Sequence, residues 1–211
     1  MPRHGCPGQP NVLSGPVAEP DLEEYSGVVR RVDAFADAVS RRRGSEINCG
    51  PGCDGCCRVQ LTLSPVEARA VSAYVLQLSG DVQARLLERV RAGDDAGARR
   101  DGRCVMLEDD GRCAVYDARP LVCRTQGLPL RYPKGTVPIE AVMAKAAGAD
   151  ITWCPLNFPT TAPEAGDVLD AERVDAMLAL VNHRWCEADG RDPLERVGLD
   201  GAVLRVLPRA P

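Results

Sequence analysis

The sequence predicts a mainly α fold with a few short strands, a small α+β architecture whose helices surround an irregular, cysteine-rich core. Three observations predict it. Apolar residues recur at three- and four-residue steps over several windows, strict alternation is confined to short runs, and the cysteines sit on glycine- and proline-rich loops. With 211 residues and 45% hydrophobic content, the chain can bury one core. A single domain is expected over residues 21–190.

Residues 1–20 carry Pro2, Pro7, Pro10, Pro16 and Pro20 and few large apolar groups, which predicts a disordered tail. Over 21–43, Leu22, Tyr25, Val29, Val32, Ala36 and Val39 form one apolar stripe of a helix. Arg41, Arg42 and Arg43 are expected as its solvated end. After the Gly44-Ser45 break and a cysteine loop, Arg58 to Leu63 alternates as a short strand. Ser64-Pro65-Val66-Glu67 carries a capping box and a proline at the first helical position. The helix it starts presents Val71, Tyr74, Val75 and Leu78. A second helix over 81–92, with Val82, Leu86, Leu87 and Val90, is expected to pack antiparallel to it.

Asp101-Gly102-Arg103-Cys104 recurs as Asp110-Gly111-Arg112-Cys113, each placing a cysteine just past an Asp-Gly turn. Cys104–Leu107 and Cys113–Tyr116 are expected to pair as a hairpin. A helix is predicted over 138–147, and Pro155, Pro159 and Pro163 keep the following stretch extended. Asp170 caps a helix over 170–187 that lines up Val174, Met177, Leu178, Val181 and Trp185. Residues 191–211 are expected as a weakly ordered tail with at most one helical turn.

A net charge of −4 argues against a nucleic-acid partner, and no stretch approaches the roughly 20 apolar residues of a membrane span. No secretory pattern opens the chain, so a cytoplasmic location is expected. In a reducing compartment ten cysteines mean metal ligands or reactive thiols rather than disulfides, and the adjacency of Cys56 and Cys57 points the same way.

Cys49, Cys53, Cys56 and Cys57 fall within nine positions among Gly50, Gly52 and Gly55, whose N–H groups can face thiolate sulfur. Cys104, Cys113, Cys123 and Cys154 complete a set of eight, the ligand count for two four-sulfur sites. Successive side chains diverge, so Cys56 and Cys57 serve two centres, or one bridges, or one stands aside. Thiolate-rich ligation selects zinc, iron in Fe–S clusters or Cu(I). Histidine contributes little, since only His4 and His183 exist. The x3–x2 spacing also matches the cluster loop of radical S-adenosylmethionine enzymes. Gly55 stands where those carry an aromatic residue, however, and the strand–helix repeats of their barrel are missing.

Cys49 to Cys57 resembles the signature of the YkgJ-type cysteine-cluster proteins. The resemblance continues through Cys104-Val105-Met106-Leu107, Cys113-Ala114-Val115-Tyr116, Arg119-Pro120-Leu121-Val122-Cys123-Arg124 and Cys154-Pro155. It implies a zinc- or iron-chelating domain with Cys49, Cys53, Cys56, Cys57, Cys104, Cys113, Cys123 and Cys154 as ligands. The same cluster is similar to that of flagellin lysine N-methylases, longer chains whose resemblance implies a [4Fe-4S] cluster and S-adenosylmethionine chemistry. A metal-binding protein is the first expectation, with metal ions as partners. An Fe–S enzyme modifying a protein or peptide is the alternative, and a thiol-based sensor that binds a protein partner is a third. Beside these, Cys6 is expected to be uninvolved, and Cys186, one turn from His183, to be structural. Tyr116 is expected to pack and Trp153 to shield the site. Arg119 and Arg124 either stabilise thiolates or form ordinary salt bridges.

Overall fold

The computed structural model describes residues 21–93, 102–137, 144–145 and 150–207. The expected tail at 1–20 lies outside them. Helix α1 (Glu23–Arg43) buries Tyr25, Val28, Val32 and Val39 and ends at Gly44, whose φ of 47° suits glycine. Its terminal arginines are not merely solvated. Arg43 Nε donates to Asp167 Oδ2 at 2.6 Å and Arg42 to Asp167 Oδ1 at 3.2 Å, with Asp167 only 1% exposed. Burial alone would raise that carboxyl. The hydrogen bonds from Arg43, Glu164 and Arg42 overcome it and hold Asp167 below the usual carboxylate range.

Strand β1 is only Thr62–Leu63, shorter than the alternation suggested, and it pairs with β6 (Val197–Gly198) near the far end of the chain. Helix α2 (Pro65–Val75) starts where the capping box predicts. Glu67 Oε2 accepts from Ser64 N at 3.1 Å and Ser64 Oγ at 2.8 Å. Its other oxygen accepts from Leu121 N at 3.0 Å, the first residue of α4 (Leu121–Thr125). Helix α3 (Gly80–Ala92) follows, and α5 (Ala171–Asp189) begins with the Asp170 side chain accepting from Arg173 N, as expected.

A four-stranded sheet runs in the order β3 (Ala144–Lys145), β4 (Ile151–Trp153), β2 (Leu130–Arg131), β5 (Leu169–Asp170), antiparallel except for the β2–β5 pair. Ala144 and Lys145 were expected in a helix over 138–147. They form an edge strand instead, because pairing to Thr152 and Trp153 overrides local helix preference. The other residues of that window lie outside the described ones. The expected hairpin shrinks to one bridge, Leu107 opposite Cys113.

The C-terminal region differs most from expectation. Helix α6 (Leu199–Leu204) packs on both α2 and α3, and Ala202 and Val203 are fully buried. Ser72 Oγ donates to Ala202 O at 2.7 Å. Val197, Leu199, Ala202 and Val203 supply the apolar surface that α2 and α3 need, so residues 197–204 are core and not tail. A second cluster joins α1, α5 and α4 through Tyr25, Val32, Leu121, Val174 and Trp185. Among the described residues, no helix is long and apolar enough to cross a membrane.

Two predictions follow from these ties. Glu67→Ala leaves Leu121 N and the α2 cap unsatisfied in a buried site, and urea unfolding should show a loss of about 2–4 kcal/mol. The Asp167 carboxyl titrates lower in the folded than in the unfolded chain, so its contribution is complete above its unfolded value. It is lost as pH falls through the depressed folded value; Asp167→Asn should therefore flatten the acid side of the stability–pH curve below about pH 4.

Candidate metal centre

Seven of the eight predicted cysteines line one cavity of about 90 Å³: Cys49, Cys53, Cys56, Cys57, Cys104, Cys113 and Cys123. They arrive from four separate pieces of chain. Cys49 to Cys57 lie on a loop with turns closed by Cys53 N to Gly50 O and Cys57 N to Asp54 O. That loop is fastened to the next by Cys104 N donating to Cys57 O at 2.8 Å and by the Arg103–Asp54 ion pair at 2.9 Å. Cys113 stands opposite Leu107, and α4 presents Cys123. Cys154 is not among the residues lining the cavity, but its charge acts on Cys49. All nine described cysteines are free thiols.

Desolvation of the sulfur dominates the protonation of most of them, even at Cys49, whose residue as a whole is exposed. It pushes Cys49 and Cys104 up to about 11, raises Cys113, and raises Cys123 further with help from Cys104, Cys113 and Cys56. Cys56 is raised first by its hydrogen bond with Cys57. Several contacts oppose this. Backbone bonds from Met106 and Val115 lower Cys104 and Cys113, two residues past each cysteine in the paired Asp-Gly-Arg-Cys turns. The glycine N–H groups were expected in this role. Arg119 lowers Cys56, Cys113 and Cys123, and Arg89 lowers Cys104 and Cys113.

The two arginines flanking Cys123 thus part company. Arg119 lines the thiol cavity with its guanidinium 3.7 Å from the centre of the Tyr116 ring. Arg124 is structural: Nη1 reaches both oxygens of Asp33 on α1 at 2.9 and 2.7 Å, and Nε donates to Arg119 O at 2.7 Å. Tyr116 therefore serves as the platform for Arg119. Trp153 does not line the cavity it was expected to shield. Cys186 is fully buried with its sulfur 3.7 Å from Asn182 Oδ1, whereas His183 is exposed beside Glu187, so the two do not form a ligand pair.

Asn157 escaped the sequence reading. It is 1% exposed and donates through Nδ2 to Cys49 Sγ at 3.2 Å and to Gly127 O at 2.8 Å, while Oδ1 accepts from Asn48 N at 2.8 Å. Its only signal was its place three residues after Cys154. Gly127, at φ +91°, passes so close that a Cβ there would lie 2.4 Å from Cys49 Sγ. Among the described residues, no three His, Cys, Asp or Glu side chains are already arranged to hold an ion. The donor set fits a soft cation in kind, with thiols throughout and no imidazole at the cavity.

Fold and cavity together define a helix-framed domain whose loops gather thiols. Residues 48–145 match the family model CxxCxxCC, described as "Putative zinc- or iron-chelating domain", the same kind of cysteine-cluster family that this segment's sequence resembles. The match supports metal binding and stops short of Cys154. No curated protein and no solved structure matches the chain.

Gly127→Ala and Gly135→Ala both place a side chain at positive φ, but only the first meets a neighbour. Gly127→Ala should lose about 1–3 kcal/mol more than Gly135→Ala in urea unfolding, and should alter the alkylation rate of Cys49.

Proposed function

We propose that this protein chelates zinc or iron through Cys49, Cys53, Cys56, Cys57, Cys104, Cys113, Cys123 and Cys154. The observation that carries the reading is that thiols from four separate segments line one cavity beside Arg119. Thiols gathered at one cavity, with Cys56 and Cys57 adjacent in sequence, suit a reducing compartment, the cytoplasm. Deprotonating so many neighbouring, partly buried thiols is unfavourable without a cation, so metal and fold would stabilise each other.

Arg119 offsets the negative charge of a thiolate-bound centre, Met106 and Val115 satisfy sulfur lone pairs through their backbone N–H groups, and Asn157 orients Cys49. A closed all-thiolate zinc site supplies structure, whereas a [4Fe-4S] cluster on the same ligands supplies redox chemistry. The Fe–S reading draws on Cys49 and Cys56, the two exposed ligand candidates, which leave one side of the centre open to a cosubstrate or a protein substrate.

Purification without oxygen, a visible spectrum and metal quantification on one sample separate these outcomes. Colourless protein loaded with zinc removes the Fe–S reading; brown, oxygen-labile protein removes the structural-zinc reading. Protein with no stoichiometric metal of either kind ends the proposal. Cys53→Ser and Cys123→Ser should lose most of the metal and lower Tm, while Cys6→Ser and Cys186→Ser keep full loading. Full loading in Cys53→Ser would remove this ligand set.

A further inference from the structure

A second cavity, of about 600 Å³, lies against the opposite face of α4. That short helix turns Cys123 toward the thiols and Leu121, Val122 and Thr125 toward the second cavity. The far wall is one face of α5, where Ala171, Val174, Asp175, Leu178 and Asn182 follow helical spacing. Leu61 and Gln126 line both cavities, so the two adjoin. The volume falls in the range of small-molecule sites, about 300–1,000 Å³.

The polar groups here have a definite sign. Ser64, Glu67, Thr125 and Asn182 are each more than nine-tenths buried and belong to its lining. Glu67 is held by three neutral donors and by no cation among its hydrogen-bond partners. Asp175, exposed at the mouth of the cavity, forms no ion pair with lysine or arginine among the described residues, and partial desolvation by its neighbours raises its carboxyl. Arg196, the cavity's one arginine, donates Nη2 to Thr62 O at 2.5 Å and Nε to Thr62 Oγ1 at 3.2 Å. The side-chain amides of Gln60 and Gln126 make no hydrogen bond among the described residues, which leaves donors and acceptors for a guest. Leu121, Leu130, Val174 and Leu178 supply an apolar wall.

We propose that this cleft binds a small organic amine, with its ammonium on Asp175 and its alkyl body along the wall of Leu121, Leu130, Val174 and Leu178. An ammonium supplies the positive charge that Asp175 lacks, and its stem covers the carbon at Val122 and Leu178 that this largely buried wall still exposes. An anion meets the carboxylates of Glu67 and Asp175 against one cation, Arg196, whose donors already bind Thr62, and a neutral alcohol of the same length forfeits the ion pair.

Calorimetric titration of the full chain, as purified with its metal, with octylamine, 1-octanol and octanoate tests this. Octylamine should bind about five- to tenfold more tightly than octanol, with octanoate weakest. Asp175→Asn should cancel the preference for the amine and Leu178→Trp should weaken all three, while metal content stays at the wild-type level in both. Equal binding of amine and alcohol, an amine preference that survives in Asp175→Asn, or no binding of any probe overturns the proposal. Metal is quantified on the same samples, so a failure of chelation and a failure of amine binding are read separately.

Discussion

Glu67, only 3% exposed, accepts hydrogen bonds from Ser64 and Leu121, and through them it fixes both the start of α2 and the start of α4. Hydrogen bonds to an ionised acceptor contribute about 1.5–3 kcal/mol each, enough to offset the desolvation of one carboxylate when all are made. The arrangement matters beyond stability. Helix α4 has only five residues, too few to hold itself in water, and yet it carries a cysteine of the thiol cavity. Its position depends on the carboxylate at one end and on Arg124, clasped to Asp33 of α1, on its last turn. Through these two contacts the scaffold holds the helix that carries Cys123.

The cavity is under electrostatic tension that the scaffold holds without removing. Burial raises Cys49, Cys104, Cys113 and Cys123, repulsion from neighbouring thiols adds to it at Cys49, Cys104 and Cys123, and Arg119, Arg89 and a few N–H groups pull the other way. Proton and metal thus compete for the same sulfurs. The repeated Asp-Gly-Arg-Cys turn gives Cys104 and Cys113 the same support, a backbone bond from the residue two places on.

Much of this was legible in the chain. The helix starts at Ser64 and Asp170 were readable because capping is a local contract between residues three apart. The cysteine set was readable because so many thiols on turn-forming loops have few other uses. What escaped was set by distant partners. Val197 to Leu204 looked like a tail because the stretch is short and broken by Gly198 and Gly201, and only α2 and α3 turn its apolar residues into core. Ala144 and Lys145 looked helical until the β4 edge claimed them. Arg42 and Arg43 looked solvated because Asp167 lies more than 120 residues away. Asn157 gave no sign of its bond to sulfur, since an asparagine near a proline is an ordinary loop residue.

The burial of α6 bears on the order of events during biosynthesis. The ribosome releases Cys49 through Cys154 before it has made Leu199, Ala202 and Val203, which close the core between α2 and α3. Each nascent molecule therefore passes through an interval in which its sulfurs are already outside the tunnel but the apolar interior beneath them is unsealed. Any cation captured in that interval meets a pliable loop assembly rather than a finished cage.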